Sequence, residues 1–274
     1  MKALIDADYF PYAHGGAKDD EGRPLAWPLV ASRISQQIEN ICEKSGADEY
    51  ELYLTGEGNF RDWIATIRPY KGQRSQDKPH HYGRVREYLL KFRNATLIKG
   101  MEADDAVSIV QMGSHSVDSL NLAKAGFYED TKTPTIICTV DKDLDNTPGW
   151  HFNWVKDKRY WVDEIDALRN FYCQLLTGDT VDNIPGLFGV GKSSTLLKKV
   201  RALEKELDMY SLVREQYEKR FGSYWWKFLL ENAQLLWMLR VDPFDKIPFS
   251  CMELEIKKRL ECLEEQRLEN TEAN

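Results

Sequence analysis

Thr177-Gly-Asp-Thr-Val-Asp-Asn-Ile-Pro-Gly-Leu-Phe-Gly-Val-Gly-Lys-Ser-Ser-Thr195 is the stretch on which the reading of this chain turns. It joins two carboxylates three residues apart, Asp179 and Asp182, to a run punctuated by Gly186, Gly189 and Gly191. The carboxylates can hold a cation, and the glycines let backbone N–H groups approach a phosphate with no Cβ in the way. A cation site fused to a phosphate grip points to cleavage of a nucleic-acid backbone.

The same residues also match a nucleotide-binding loop, because Gly186 to Ser193 fits G-x-x-x-x-G-K-S. That loop works only after a buried strand, and here Pro185 and the polar run Asp179 to Asn183 stand where the strand belongs. The competing reading is a helix–hairpin–helix turn: a helix closing over Phe171–Leu176, a Gly-x-Gly turn, and a second helix over Ser193–Val200. Such a turn aims its amides at a DNA phosphate from a helix N-terminus.

Upstream, short apolar runs end in acids. Ala3–Ile5 reads as a strand ending at Asp6, Tyr50–Leu54 as a second leading into Thr55-Gly-Glu-Gly58, and Ala95–Ile98 as a third before Gly100-Met-Glu-Ala-Asp-Asp105. Thr135–Val140 is a further β-branched strand running into Asp141-Lys-Asp143. Val30, Ile34, Ile38 and Ile41 recur at helical spacing, with Ser45-Gly46 as the stop. Tyr82–Phe92 and Ala106–Met112 also read as helices, and Gly113–Thr133 as a polar loop. Beyond Val162 the pattern is helical, with Leu203, Leu207, Tyr210, Val213, Tyr217 and Phe221 on one face. Met252, Ile256, Leu260 and Leu263 form another face, and Glu264–Asn274 reads as a polar tail. In a parallel α/β sheet, residues just past the strand C-termini share one edge. Asp6, Glu102, Asp104, Asp105, Asp141 and Asp143 are expected to converge there.

So many carboxylates repel one another in a low-dielectric site unless divalent cations neutralise them. Oxygen-only ligation suits Mg²⁺ or Mn²⁺, and two such ions can activate a water and stabilise a phosphodiester leaving oxygen. Each acid also has an ordinary reading: Glu102 to Asp105 complement a helix dipole, and Asp141 and Asp143 sit in a polar turn. Lys71 and Arg74 offer cations to a scissile phosphate, or form a solvated basic loop. His80-His81 lacks a third ligand nearby and reads as loop; Trp225, Trp226 and Trp237 read as helical core.

The chain has 274 residues, 42% of them hydrophobic, and a net charge of −7. That sum argues against a polyanion partner, but its distribution does not. Between Arg68 and Lys99 nine bases face two acids, a local charge of +7, and local field decides where a polyanion lands. Five scattered cysteines with no C-x-x-C pair fit a reducing cytoplasm rather than a disulfide or zinc framework. Met1-Lys-Ala-Leu-Ile-Asp6 reads as too short and too soon charged for a signal peptide, and no apolar run in the sequence approaches membrane-spanning length.

With these residues in view, the chain resembles the 5′–3′ exonuclease and flap endonuclease family, notably its compact tailed-phage members and the 5′-nuclease domains of bacterial DNA polymerases. The matching segments are Leu4-Ile-Asp-Ala-Asp8, Asn59-Phe-Arg61, Tyr70-Lys-Gly-Gln-Arg74, Gly100-Met-Glu-Ala-Asp-Asp-Ala106, Thr139-Val-Asp-Lys-Asp-Leu144 and Leu176 to Gly186 with its hairpin. They fall in the family's order. The resemblance implies a PIN-like, mainly parallel α/β sheet with flanking helices, followed by a helical region with a helix–three-turn–helix clamp. Residues 1–165 would be the catalytic domain and 166–274 the DNA-binding region. It implies metal ligation by Asp6, Glu102, Asp104, Asp105, Asp141 and Asp143, with Asp179 and Asp182 completing a second position. Lys71 and Arg74 match the pair at the cleaved phosphate, Arg61 a supporting DNA-binding arginine. Gly186, Gly189, Gly191, Lys192 and Ser193 match the duplex grip, where the family often binds K⁺.

Two departures stand out. The family's aspartate after the second strand is replaced by Leu54-Thr-Gly-Glu57, and the segment from Arg74 to Ala95 is short for a helical arch. The expectation is a monomeric, ATP-independent enzyme that uses two Mg²⁺ (or Mn²⁺) ions to cut DNA at 5′ ends, flaps and nicks in replication, repair or recombination. It would work in the cytoplasm of a bacterial or phage-infected cell. A PIN-type ribonuclease and a non-catalytic DNA-junction binder are the alternatives.

Overall fold

The computed structural model describes residues 1–75, 77–113, 134–241 and 254–272. Almost all of the loop expected over Gly113–Thr133, and Met252, lie outside the described residues. The chain divides into two compact units, Met1–Gly58 with Ser75–Val162, and Asn59–Arg74 with Asp163–Asn274.

The first unit is built on a six-stranded sheet in the order β3-β2-β1-β4-β5-β6. These strands are β1 (Lys2–Asp6), β2 (Glu49–Asn59), β3 (Thr96–Gly100), β4 (Thr135–Cys138), β5 (Gly149–Asn153) and β6 (Lys158–Val162). β1 runs parallel to both β2 and β4, and β4 runs parallel to β5. β6 is antiparallel to its neighbour, pairing with β5 from Gly149 opposite Val162 to Asn153 opposite Lys158. Ala3, Leu4 and Ile5 are fully buried, as a central strand covered on both faces requires.

Helices α1 (Tyr9–Ala13), α2 (Trp27–Ser45), α4 (Tyr82–Phe92) and α5 (Ala103–Gly113) belong to this unit, and α3 (Phe60–Ile64) to the other. The expected stripe of α2 is its buried face, Val30, Ile34, Ile38 and Ile41. Gly46 ends the helix in the left-handed region at φ 74°, which costs a glycine little. Val85 and Leu89 of α4 join the same core.

Several expectations need correction. β2 runs on through Thr55-Gly-Glu-Gly58. α5 starts at Ala103 rather than Ala106, which puts Asp104 and Asp105 in its first turn. β5 and β6 were not anticipated at all, because Trp150, Trp154 and Trp161 blur the alternation of a mixed-sheet edge.

The second unit is helical: α6 (Glu164–Thr177), α7 (Thr195–Arg201), α8 (Glu206–Phe221), α9 (Trp225–Leu236) and α10 (Leu254–Glu272). The expected polar tail is the distal part of α10. Glu264 anchors it by accepting from Tyr210 Oη at 2.7 Å and Arg214 Nε at 3.1 Å. Trp237 is buried against Phe171, while Trp225 and Trp226 are half-buried. Cys42, Cys138, Cys173 and Cys262 are free thiols. Among the described residues no helix is long and apolar enough to cross a membrane.

Candidate active site

Asp6 closes β1, and Asp141 lies three residues beyond the parallel neighbour β4. The connections run one way from β1 to β2 and the other way to β4, and the crevice at such a reversal is where open parallel sheets bind ligands. Asp8, two residues past β1, belongs to the same group. Its N–H donates to Asp6 Oδ1 at 3.1 Å, and its own Oδ1 accepts from Thr55 N–H at 3.1 Å. Arg86 Nη1 stands 3.5 Å from that oxygen.

Thr55 is the knot of this edge. Its Oγ1 accepts from Ala103 N–H at 2.9 Å and its carbonyl from Arg86 Nη2 at 2.6 Å. Residues following β1, the far part of β2 and the start of α5 are thereby tied together. Glu102 and Asp105 are buried at that start, where Asp105 Oδ2 accepts from Glu102 N–H at 3.3 Å and Asp104 Oδ1 from Asp105 N–H at 2.7 Å. Asp141 is exposed and accepts from Asp143 N–H at 2.9 Å, while Asp143 pairs with Lys142 at 3.0 Å.

Burial above all, then the charge of Asp8, pushes the Asp6 carboxyl up to about 8; Asp141 and Glu102 add to the rise, and the Asp8 N–H opposes it. Asp8 is raised for the same first reason, with Thr55 and Arg86 holding it back. Among the described residues no three His, Cys, Asp or Glu side chains form a ready-made ion site. The acids feel one another's field without sharing a ligand position.

Glu57 is exposed on β2. Asp8 was missed by sequence reasoning, although Asp6-Ala-Asp8 carries the signal: two carboxylates two positions apart at a strand end.

In the second unit, the strap 65–74 and the turn 179–183 are laced together. Arg74 Nη2 donates to Asp182 Oδ1 at 2.5 Å, Tyr70 Oη to Asp182 Oδ2 at 2.9 Å, and Lys71 Nζ lies 3.9 Å from Oδ2. Lys71 N–H donates to the Asp182 carbonyl at 2.9 Å, with Lys71 held at φ 52°. That is a left-handed conformation a non-glycine residue adopts only when its surroundings fix it. Asn183 Nδ2 reaches the Pro69 carbonyl at 2.9 Å. Asp179 is buried and accepts from the N–H groups of Val181 and Asp182 at 2.7 and 3.2 Å.

Glu231 of α9 holds the other end of the strap, accepting from Thr66 N–H at 2.8 Å and Ile67 N–H at 2.7 Å. An acid inside a helix gives no local sign of such a task, and it was not anticipated.

Arg61 corrects an expectation. It was read as a DNA contact, yet it is 1% exposed and donates to the carbonyls of Leu235 and Trp237 at 2.9 and 2.8 Å. It satisfies the C-terminal carbonyls of α9, which otherwise lack partners.

The hairpin is not a nucleotide-binding loop. Gly186 follows β8 (Ile184–Pro185), a two-residue strand paired antiparallel with β7 (Gly178–Asp179), and not a buried parallel strand. α7 begins only at Thr195 after the Ser194 cap, leaving Lys192 ahead of the helix. A Cβ on Gly186 would lie 2.1 Å from the Thr177 carbonyl carbon, so the turn requires glycine there. Gly189 at φ 82° and Gly191 face open space. Lys192 and Ser193 are exposed, as are Lys198, Lys199 and Arg201 of α7, which the sequence reading had not singled out.

No family model and no curated protein matches this chain. Solved structures do. The bacteriophage T5 D15 protein co-crystallised with metal ions is 16% identical, with a TM-score of 0.56 over 98% of each chain. The T5 D15 flap endonuclease in a pseudo-enzyme–product complex with DNA and metal ions is 16% identical, with a TM-score of 0.54 over 86% of this chain and 88% of that one. A mutant T5 5′-exonuclease is also 16% identical, with a TM-score of 0.52 over 86% of each chain. At such identity the likeness is one of architecture, and it spans nearly the whole length: this protein has the PIN-like fold of the T5 5′-exonuclease and flap endonuclease structures.

Proposed function

We propose that the chain is a divalent-cation-dependent nuclease that hydrolyses DNA phosphodiesters at 5′ ends, flaps and nicks. The observation that carries this reading is the crowding of Asp6, Asp8, Glu102 and Asp141 at the reversal of a parallel sheet, where burial and the neighbouring acids push Asp6 up to about 8 and Arg86 is the cation beside Asp8. A donor set made only of carboxylate oxygens fits a hard cation such as Mg²⁺, with Mn²⁺ as a substitute.

Asp6, Asp8, Glu102, Asp104 and Asp141 are the side chains proposed to hold it, directly or through water, with Asp105 and Asp143 behind them. Asp179 and Asp182 are the acids the second unit offers to a further ion. When bound, such cations supply activation of the attacking water and charge compensation at the leaving oxygen.

The remaining work falls to the chain's own groups. Arg74 and Lys71 are proposed to exchange the Asp182 carboxylate for the oxygens of the scissile phosphate, which present a similar paired-acceptor face. The backbone from Gly189 to Ser193 and the Lys192 ammonium would grip the duplex away from the cut, with K⁺ as a candidate companion ion. Polarity, preference for a flap, action as a monomer without ATP, and a role in replication, repair or recombination are proposed from the likeness to the T5 flap endonuclease. The test uses 5′- and 3′-labelled flapped, nicked and blunt duplexes with Mg²⁺ or EDTA. Mg²⁺-dependent release from the 5′ side supports the reading. Junction binding without cutting at any cation concentration would leave a binding protein, and preferential cutting of RNA a ribonuclease.

A further inference from the structure

The second unit contains a cavity of about 540 Å³; Asp179 is on its wall, but the nuclease reading gives no task to Arg68, Phe188, Arg220, Phe221, Phe228 or Asn232, which also line it. Its walls come from the turn 177–188, the strap at Arg68 and Gln73, and α8 and α9 from Arg220 to Asn232. The volume falls within the ~300–1,000 Å³ typical of sites for small organic groups.

Asn232 gives the cavity its chemistry. It is 3% exposed, and its Nδ2 donates to the Pro185 carbonyl at 2.7 Å and to Tyr217 Oη at 2.9 Å. Tyr217 spends its own proton on the Leu175 carbonyl at 2.6 Å, so its oxygen must accept. Both partners are therefore acceptors toward Asn232, which fixes the amide orientation. Oδ1 is left buried with no partner. Such an orphan is costly unless something with an N–H or O–H comes to meet it.

The other lining groups narrow the choice. Arg68 and Arg220 are exposed, and neither forms an ion pair among the described residues; the Arg220 guanidinium lies 5.7 Å from the Phe188 ring centre. Phe188 is 88% exposed beside Gly189, and Phe221 and Phe228 stack face to face at 4.0 Å. A lipid or apolar peptide would leave Asn232 and both arginines unmet. A free phosphate would leave the rings bare. A nucleotide carries a flat ring, an amino edge and a phosphate together, and base–aromatic stacking is how single strands are commonly held.

We infer that this cavity receives one unpaired nucleobase of the bound DNA strand, stacked on Phe188, its amino group donating to Asn232 Oδ1 and its phosphate held by Arg220 and Arg68. The inference rests on the DNA reading above. Adenine, cytosine and guanine bring an exocyclic amino group to this oxygen, whereas thymine can offer it only the ring N3–H.

The test places 2-aminopurine at successive positions of the single-stranded arm of a flapped duplex and follows its fluorescence on adding full-length protein in EDTA. Duplex binding is followed separately by anisotropy. One position near the junction is expected to respond. Phe188→Ala abolishes that response and weakens flap binding about tenfold, while blunt-duplex binding is retained. Arg220→Gln reduces the response and lowers the salt slope of flap binding by about one. No responding position with normal duplex binding overturns the inference alone, as does a response unchanged in both variants. Failure to bind duplex at all overturns the DNA reading and this inference with it.

Discussion

Arg74 and Asp182, 108 positions apart in the chain, meet at 2.5 Å, and the same carboxylate also takes the Tyr70 hydroxyl. A residue read as a phosphate clamp and a residue read as a cation ligand are thus each other's partner. Arg74 is half exposed and Asp182 nearly buried, so the pair can open toward solvent from the arginine side.

Removing this clamp should injure chemistry more than binding. Arg74→Ala is expected to slow single-turnover cleavage of a 5′-flap substrate by about 10²-fold, with duplex affinity changed only a few-fold. Arg74→Lys should recover part of the rate, because it keeps the charge and loses the fork. Equal rates in wild type and Arg74→Ala would remove the residue from the reaction.

The acid edge predicts an unusual pH response. A carboxyl raised in the folded state stabilises below its unfolded value near 3.9 and loses that contribution as pH climbs toward the folded value, which for Asp6 is about 8. In EDTA, wild type should lose stability relative to Asp6→Asn across that window, by on the order of 5 kcal/mol for the whole shift. Mg²⁺ should raise the melting temperature of wild type and much less that of Asp6→Asn or Asp141→Asn. Thermal scans across pH, with and without Mg²⁺, read both effects.

For the hairpin, Lys192→Ala should weaken duplex binding and reduce the salt slope by about one. ATP should not compete. Saturable ATP binding lost in the variant would reinstate the nucleotide-loop reading that the strand pattern argues against.

Arg61→Ala should act on stability. It strips two donors from the carbonyls of Leu235 and Trp237 in a buried setting, a loss of about 2–4 kcal/mol. Denaturant melts should show the fall, while any residual folded protein keeps its affinity for DNA.

His151 supplies an acid limit. It is fully buried, Nε2–H donates to the Thr147 carbonyl at 2.8 Å, and burial holds its imidazole below the ordinary value. A lowered histidine stabilises above its unfolded value and loses that contribution as pH falls, so stability should drop below about pH 6.5. His151→Gln should flatten that part of the profile in pH-dependent melts.

Where the sequence is periodic, the fold was legible. β1 and α2 fall where apolar spacing placed them, because each buries one continuous run or stripe, and α4 falls where a basic helix was read over Tyr82–Phe92. Carboxylates at strand ends were legible for a topological reason, since strand order alone gathers them. What could not be seen depends on contacts across long sequence gaps. The burial of Arg61, the hold of Glu231 on the strap and the pairing of Arg74 with Asp182 have no local pattern. Asp8 was visible but undervalued, because Thr55, which fixes it, looks like an ordinary strand residue.

The strap has a consequence for synthesis. Asn59–Arg74 is made early but belongs to a unit whose other residues begin at Asp163. Arg61 finds its carbonyl 174 residues later, at Leu235. A ribosome adding about 5–20 residues per second needs roughly ten seconds or more to cover that distance. Throughout that interval Lys71 and Arg74 ride on a segment with no anchor at Glu231 or Asp182. A nascent or prematurely terminated chain would therefore carry Lys71 and Arg74 on a strap that nothing yet holds in place, and the strap is fixed only when translation is nearly finished.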